Sequence, residues 1–165
     1  SAVLNRVRNT EEPPHLLIYF GHGEKDSLLG VEPIGKRAYF LRPVVSGTNS
    51  YILRDYITYA VACDSLSELG KDAIEHGAIT YYSNNRPLHV LESDLDKDGI
   101  MDFTELFSII PIQLAQGKTT YEAYTTFHNA INNLISYAKE GSYEHTVLKE
   151  LQTTFGVLGK DVKWV

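Results

Sequence analysis

Two nearly unbroken apolar runs, 16–20 (LLIYF) and 57–62 (ITYAVA), constrain this chain more than any other feature. Each is too short for an ordinary helix and too continuous for a strand with one face in water. Runs of this kind are strands covered on both faces, as in a parallel sheet whose crossover helices lie on either side. Residues 15–20 are therefore read as a strand that ends abruptly at Gly21-His22-Gly23, and 57–62 as a second that stops at Cys63-Asp64.

The rest of the chain fits the same architecture. Residues 65–76 read as a helix, with Ser65 and Glu68 in capping-box spacing, although Gly70 can delay its start. Gly77 closes that helix and 78–82 form a third strand, so the second and third strands make a βαβ unit and pair in parallel. Between the first two strands, 37–41 and 51–53 look strand-like. They are separated by Pro43 and the turn-rich cluster 46–50, which suggests a hairpin excursion at one edge. Later segments read as helices at 103–115, 121–138 and 144–152, the second capped by Thr119 with Glu122 three residues on, and as a last strand at 154–158. Residues 2–8 can form a short helix that Pro13 and Pro14 bring to an end. The expectation is one α/β domain over 1–165, a mostly parallel sheet flanked by helices, carrying an inserted acidic loop at 94–105.

Length and composition agree. At 165 residues with 43% apolar side chains the chain can bury a real core. Its net charge of -6 argues against nucleic acid or an anionic membrane as the main partner, because both would repel it. No run approaches the roughly 20 apolar residues of a membrane span. The first residues, SAVLNRVRNT, contain no initiator Met and no signal-like apolar stretch, which fits an excised part of a longer precursor. A single cysteine, Cys63, rules out an internal disulfide and any multi-cysteine metal site. A lone cysteine is ordinarily inert core filler.

The position of Cys63 gives it another reading. In an open parallel sheet, reacting groups gather beyond the carboxyl ends of the strands, where both His22 and Cys63 fall. If the two strands are neighbours, the imidazole and the thiol emerge on one edge. A thiolate is the nucleophile of cysteine chemistry, and it is favoured by an adjacent imidazole and a helix N-terminus. His22 would return a proton to the leaving amine, and the backbone N–H groups of Gly23 and Cys63 would receive the oxyanion. Other motifs fit poorly. A dinucleotide fingerprint needs a third glycine opening a helix, which Glu24-Lys25-Asp26 does not supply, and a nucleophile elbow needs glycines where Val61 and Ser65 stand.

The segments LLIYFGHG and YAVACDS, in that order, resemble the caspase-like peptidase clan that includes caspases, separases, clostripain and gingipains. The His-to-Cys separation is near the roughly 50 residues of the caspase pattern. The likeness continues through AIEHGAITYY, LAQGKTTYEAY and FGVLGKD, the last similar to the closing strand of the gingipain-like branch. It implies a caspase-like sandwich, a cysteine endopeptidase acting on peptides or proteins, His22 as catalytic histidine, Cys63 as nucleophile, and Gly23 with Cys63 as oxyanion donors. Two departures limit what carries over. Val61-Ala62-Cys63-Asp64-Ser65 lacks the caspase residues around Cys, so aspartate specificity is not implied, and the clan's one or two strands before the His-bearing strand are not seen.

The stretch Asp94-Leu95-Asp96-Lys97-Asp98-Gly99-Ile100-Met101-Asp102-Phe103-Thr104-Glu105 fits an EF-hand calcium loop at every liganding position. Asp94, Asp96 and Asp98 supply carboxylates, Gly99 the turn, Ile100 a carbonyl, Asp102 a water-mediated contact and Glu105 the bidentate ligand. Crowding five carboxylates without a cation is repulsive. The expected cofactor is Ca2+, acting as a structural clamp, since the loop is single and only a short turn or strand precedes it. A calcium loop beside one free thiol leans towards an exported microbial protein. The functional expectation is a calcium-stabilised thiol peptidase. Its rival is a catalytically silent calcium-binding interaction domain on the same fold.

Overall fold

The computed structural model describes residues 14–34, 38–88 and 103–165. The expected helix at 2–8 and the calcium-loop residues from Asp94 through Asp102 lie outside them. Strands β1 (His15–Phe20), β5 (Tyr56–Val61), β6 (Thr80–Asn84) and β7 (Phe155–Gly159) form one sheet in the order β1-β5-β6-β7. The pairs β1/β5 and β5/β6 are parallel and β6/β7 is antiparallel, so the protein is α/β with a mixed, mostly parallel sheet. A second sheet, β2-β3-β4, is antiparallel and is made by β2 (His22–Glu24), β3 (Ser27–Ile34) and β4 (Ala38–Ser46).

The expected hairpin excursion is thus present but longer than its sequence suggested, since β3 was not anticipated. The 51–53 segment is not a strand. It belongs to a 3-10 turn, Ser50–Leu53, in which Ile52 N–H donates to the Asn49 carbonyl at 3.0 Å. Asn49 sets up this turn by accepting the Ser46 N–H on its Oδ1 at 2.6 Å, which commits the chain to a local bend in place of a ladder.

Helices α2 (Phe103–Ala115), α3 (Thr120–Tyr137) and α4 (Tyr143–Thr154) cover one face of the main sheet. Ile57, Tyr59, Val61 and Tyr82 pack there against Phe107, Ile110, Phe127, Leu151 and Phe155. Thr119 caps α3 as its spacing predicts: Glu122 N–H donates to Thr119 Oγ1 at 3.2 Å, and Glu122 Oε2 accepts the Thr119 N–H at 2.8 Å. Pro111 lies inside α2 and has no N–H for the Phe107 carbonyl one turn back. The buried Tyr59 hydroxyl donates to that carbonyl at 2.8 Å, so the defect in the helix becomes its tie to β5. Burial drives the Tyr59 and Tyr82 phenols far above their usual range, and both remain donors. Tyr82 donates to the Thr120 carbonyl at 2.7 Å.

The opposite face is closed by a π-helical turn, Leu66–Gly70, that runs into the short α1 (Lys71–Glu75) and by the β2-β3-β4 sheet. Gly77 at φ +101 ends this helical segment, the left-handed conformation expected of a closing glycine. The capping box read at Ser65 and Glu68 does not form. Ser65 is wholly buried and its Oγ pairs with Ser83 Oγ at 2.8 Å, a bond unavailable to an exposed cap.

β5 and β6 are buried on both faces, as continuous apolar runs require, but β1 is not. Ile18 and Phe20 are 44% and 58% exposed. Among the described residues β1 is the end strand of the sheet, and Phe20 meets Tyr59 edge-on at 6.1 Å while more than half of its surface is exposed.

Candidate active site

The register of the main sheet determines what meets at its carboxyl edge. Phe20 pairs with Val61, and Gly21 N–H extends the ladder to the Val61 carbonyl at 3.2 Å. The next residues on each strand are Gly21-His22 and Ala62-Cys63, so the two sequence-predicted elements leave the sheet side by side.

After Gly21 the chain turns into β2, where His22 pairs with Leu29 and Gly23 with Leu28 of β3. Gly23 lies hard against the other strand end. A Cβ built on it would stand 2.6 Å from the Cys63 carbonyl oxygen, 2.8 Å from Ala62 Cβ and 3.3 Å from Cys63 N. Only glycine permits that approach, because two of the three obstacles are main chain. His22 itself is exposed and Cys63 half-buried. No hydrogen bond joins the imidazole to the sulfur among the described residues.

Tyr19 folds back over this corner. Its hydroxyl stands 2.8 Å from the His22 carbonyl and 2.6 Å from the Leu29 carbonyl. A Cβ on Gly21 would fall 2.6 Å from that oxygen. Burial raises the Tyr19 phenol above its ordinary value, opposed by the bond to Leu29, so the group keeps its proton.

On the Cys63 side a chain of buried polar groups runs beneath the backbone of the strand end. The Tyr81 hydroxyl donates to Ser65 Oγ at 3.3 Å, Ser65 pairs with Ser83, and Ser83 Oγ donates to the Ala62 carbonyl at 3.3 Å. Asn84 Nδ2 reaches the same carbonyl at 3.5 Å, and Thr154 donates to Asn84 Oδ1 at 3.4 Å. Ser65, Ser83 and Asn84 are completely buried. Groups so placed must be satisfied internally, which fixes their direction. Because the Ala62–Cys63 peptide is planar and trans, a carbonyl held towards Ser83 aims the Cys63 N–H the opposite way.

The chain then makes a tight corner at Asp64, whose φ of 53 is left-handed, a conformation that aspartate tolerates better than most residues. Asp64 N–H donates to the Arg86 carbonyl at 3.1 Å. The segment leaving β6 thereby passes over the thiol, where Leu88 N–H donates to Cys63 Sγ at 3.2 Å. The expected helix N-terminus beyond Cys63 is present only as the π turn, and Leu69 N–H is already committed to the Lys25 carbonyl at 2.8 Å.

Glu105 is exposed in the first turn of α2, and the other predicted calcium ligands, Asp94, Asp96, Asp98, Ile100 and Asp102, are outside the described residues. Among the described residues no three His, Cys, Asp or Glu side chains cluster to hold a metal, and no helix is long and apolar enough to cross a membrane.

Sequence reading missed Tyr19, the Ser65-Ser83-Asn84 chain and the Leu88 amide. A signal for the second was available, since Ser83 and Asn84 continue an otherwise apolar buried strand. Tyr19 and Leu88 act through contacts that local sequence does not encode. No protein-family model, curated protein or solved structure matches this chain.

Proposed function

We propose that the chain is a cysteine endopeptidase of caspase-like type, with His22 and Cys63 as its dyad. The observation that carries the reading is the packing of Gly23 on the Cys63 carbonyl, which puts the His-Gly turn and the cysteine on adjacent strand ends. His22 takes the thiol proton and the Cys63 sulfur attacks the carbonyl carbon of a peptide substrate. The Gly23 and Cys63 N–H groups meet the oxyanion, and the Leu88 N–H holds the sulfur in place before attack. His22 then protonates the leaving amine as the C–N bond breaks and a thioester remains. Water, deprotonated by His22, cleaves the thioester to a carboxylic acid and restores the thiol.

Iodoacetamide tests the dyad without knowledge of the substrate. Cys63 should alkylate readily in the folded protein, and His22→Ala should slow it by roughly a hundredfold, the lower end of general-base effects. Reaction only in denaturant would remove the enzyme reading and leave the silent calcium-binding domain.

Calcium is part of the proposal on the strength of the loop's spacing. The ligands would be Asp94, Asp96, Asp98, the Ile100 carbonyl, Asp102 and Glu105. A bound cation would neutralise their mutual repulsion and stiffen the approach to α2. Calorimetric titration should give about one calcium per chain and a higher Tm with calcium present. Absence of both effects refutes the site.

A further inference from the structure

Nothing in the dyad chemistry explains what holds His22 in place. The imidazole sits on a three-residue strand, is exposed, and rests on the peptide positions of β2 for its direction. One side chain reaches back to that backbone. We propose that Tyr19 is a positioning residue for His22, using its hydroxyl to hold the His22 carbonyl and so the place of the His22-Gly23 backbone beside the strand end that carries Cys63. The inference rests on the reading of His22 and Cys63 as a dyad.

Three features of the corner support it. The Tyr19 oxygen lies at hydrogen-bond distance from both the His22 and Leu29 carbonyls, 2.8 and 2.6 Å, so one phenol spans the β2/β3 pair where His22 and Leu29 face each other. A phenol has one proton to donate, so the hydroxyl bonds one of these carbonyls at a time or is shared between them, and either way it ties the β2/β3 pair to β1. Gly21 leaves the space that the phenol occupies, for a Cβ there would stand 2.6 Å from the oxygen and 2.9 Å from Cζ. Finally, Tyr19 belongs to β1, whose ladder with β5 also fixes Cys63. The hydroxyl therefore references the histidine to the same strand that references the nucleophile. Loss of that reference lets β2 turn about the Gly21 hinge, and displacements near an ångström are costly in such reactions.

A purely structural phenol would also satisfy the Leu29 carbonyl, so the test must read His22. The rate of Cys63 alkylation by iodoacetamide is followed across about pH 5.5–8.5 in the wild type, Tyr19→Phe, His22→Ala and the double variant, with Tm recorded for each. Tyr19→Phe should lower the rate about tenfold while its fold is retained, and should flatten the His22-dependent limb of the profile. The double variant should react no more slowly than His22→Ala alone. Gly21→Ala, which displaces the phenol by another route, should reproduce the loss and replaces Tyr19→Phe if that variant does not fold. Wild-type alkylation in the Tyr19 and Gly21 variants, with His22→Ala slow, overturns the positioning role and spares the dyad. Wild-type alkylation in His22→Ala overturns both.

Discussion

Replacement of Gly23 by alanine should cost at least about a hundredfold in Cys63-dependent peptide cleavage while the fold persists. The added methyl would stand 2.6 Å from the Cys63 carbonyl oxygen and 2.8 Å from Ala62 Cβ, closer than such atoms are ever found. Neither obstacle can swing away. The Ala62 carbonyl is held by Ser83 and Asn84, and Asp64 is held by Arg86, so the strand end carrying Cys63 is the rigid side. β2 must retreat, and the Gly23 N–H and His22 leave together. On the proposed mechanism Gly23 N–H is an oxyanion donor, whose loss alone typically costs 10²–10³ in rate, and displacement of His22 as base adds to it. The fold should tolerate the change because β2 is short and outside the four-stranded sheet. Gly47→Ala is the control, its nearest neighbour being Asp72 Oδ2 at 3.8 Å. Cleavage of a peptide library and a thermal melt on all three proteins check the expectation. Activity within about threefold of wild type in Gly23→Ala would mean the close approach has no catalytic consequence.

The geometry of this corner shows where sequence is informative and where it stops. Long periodic elements were legible: α2, α3 and α4 fall where apolar spacing and the Thr119-Glu122 cap put them, because each signal lies within a few residues of its effect. The adjacency of His22 and Cys63 was legible for a different reason. Two buried strands in one parallel sheet must end on the same edge if they are neighbours, and Phe20 pairs with Val61. Failures occurred where a side chain had a better partner far away. Ser65 looked like a cap, yet Ser83 lies 18 residues on and completes a buried bond that local spacing cannot reveal. Residues 51–53 looked like a strand because Tyr, Ile and Leu favour one, but Asn49 and Ser46 bend the chain first. β1 looked doubly covered because its composition does, although coverage depends on what lies beyond the edge. The calcium loop is carried by spacing alone.

Stability should depend most on Phe155, and Phe155→Ala is expected to cost about 3–5 kcal/mol, the usual range for a buried Phe truncation. Its ring is 2% exposed and meets Phe127 at 4.7 Å, Tyr59 at 6.1 Å and Phe107 at 6.5 Å, so it touches one strand and two helices at once. Two of the surrounding tyrosines are not free to relax into the void. Tyr59 is pinned by its bond to the Phe107 carbonyl, and Tyr124 is pinned by its own bond to the Phe155 carbonyl at 3.1 Å. For a domain of this size the loss corresponds to a fall in Tm of roughly 10 °C. It should also reach the strand end that carries Cys63, because Phe155 pairs with Asn84, whose amide holds the Ala62 carbonyl. Urea denaturation should therefore show the large loss in stability, and alkylation of the still-folded protein should show Cys63 less strongly dependent on His22. Phe155→Leu keeps most of the volume and should lose about 1 kcal/mol, with His22 dependence retained. If Phe155→Ala lost less than about 1.5 kcal/mol, the aromatic cluster would not be the keystone of the helical face. If stability fell as expected but His22 dependence did not change, the route from β7 through Asn84 to Cys63 would be refuted while the packing account stood.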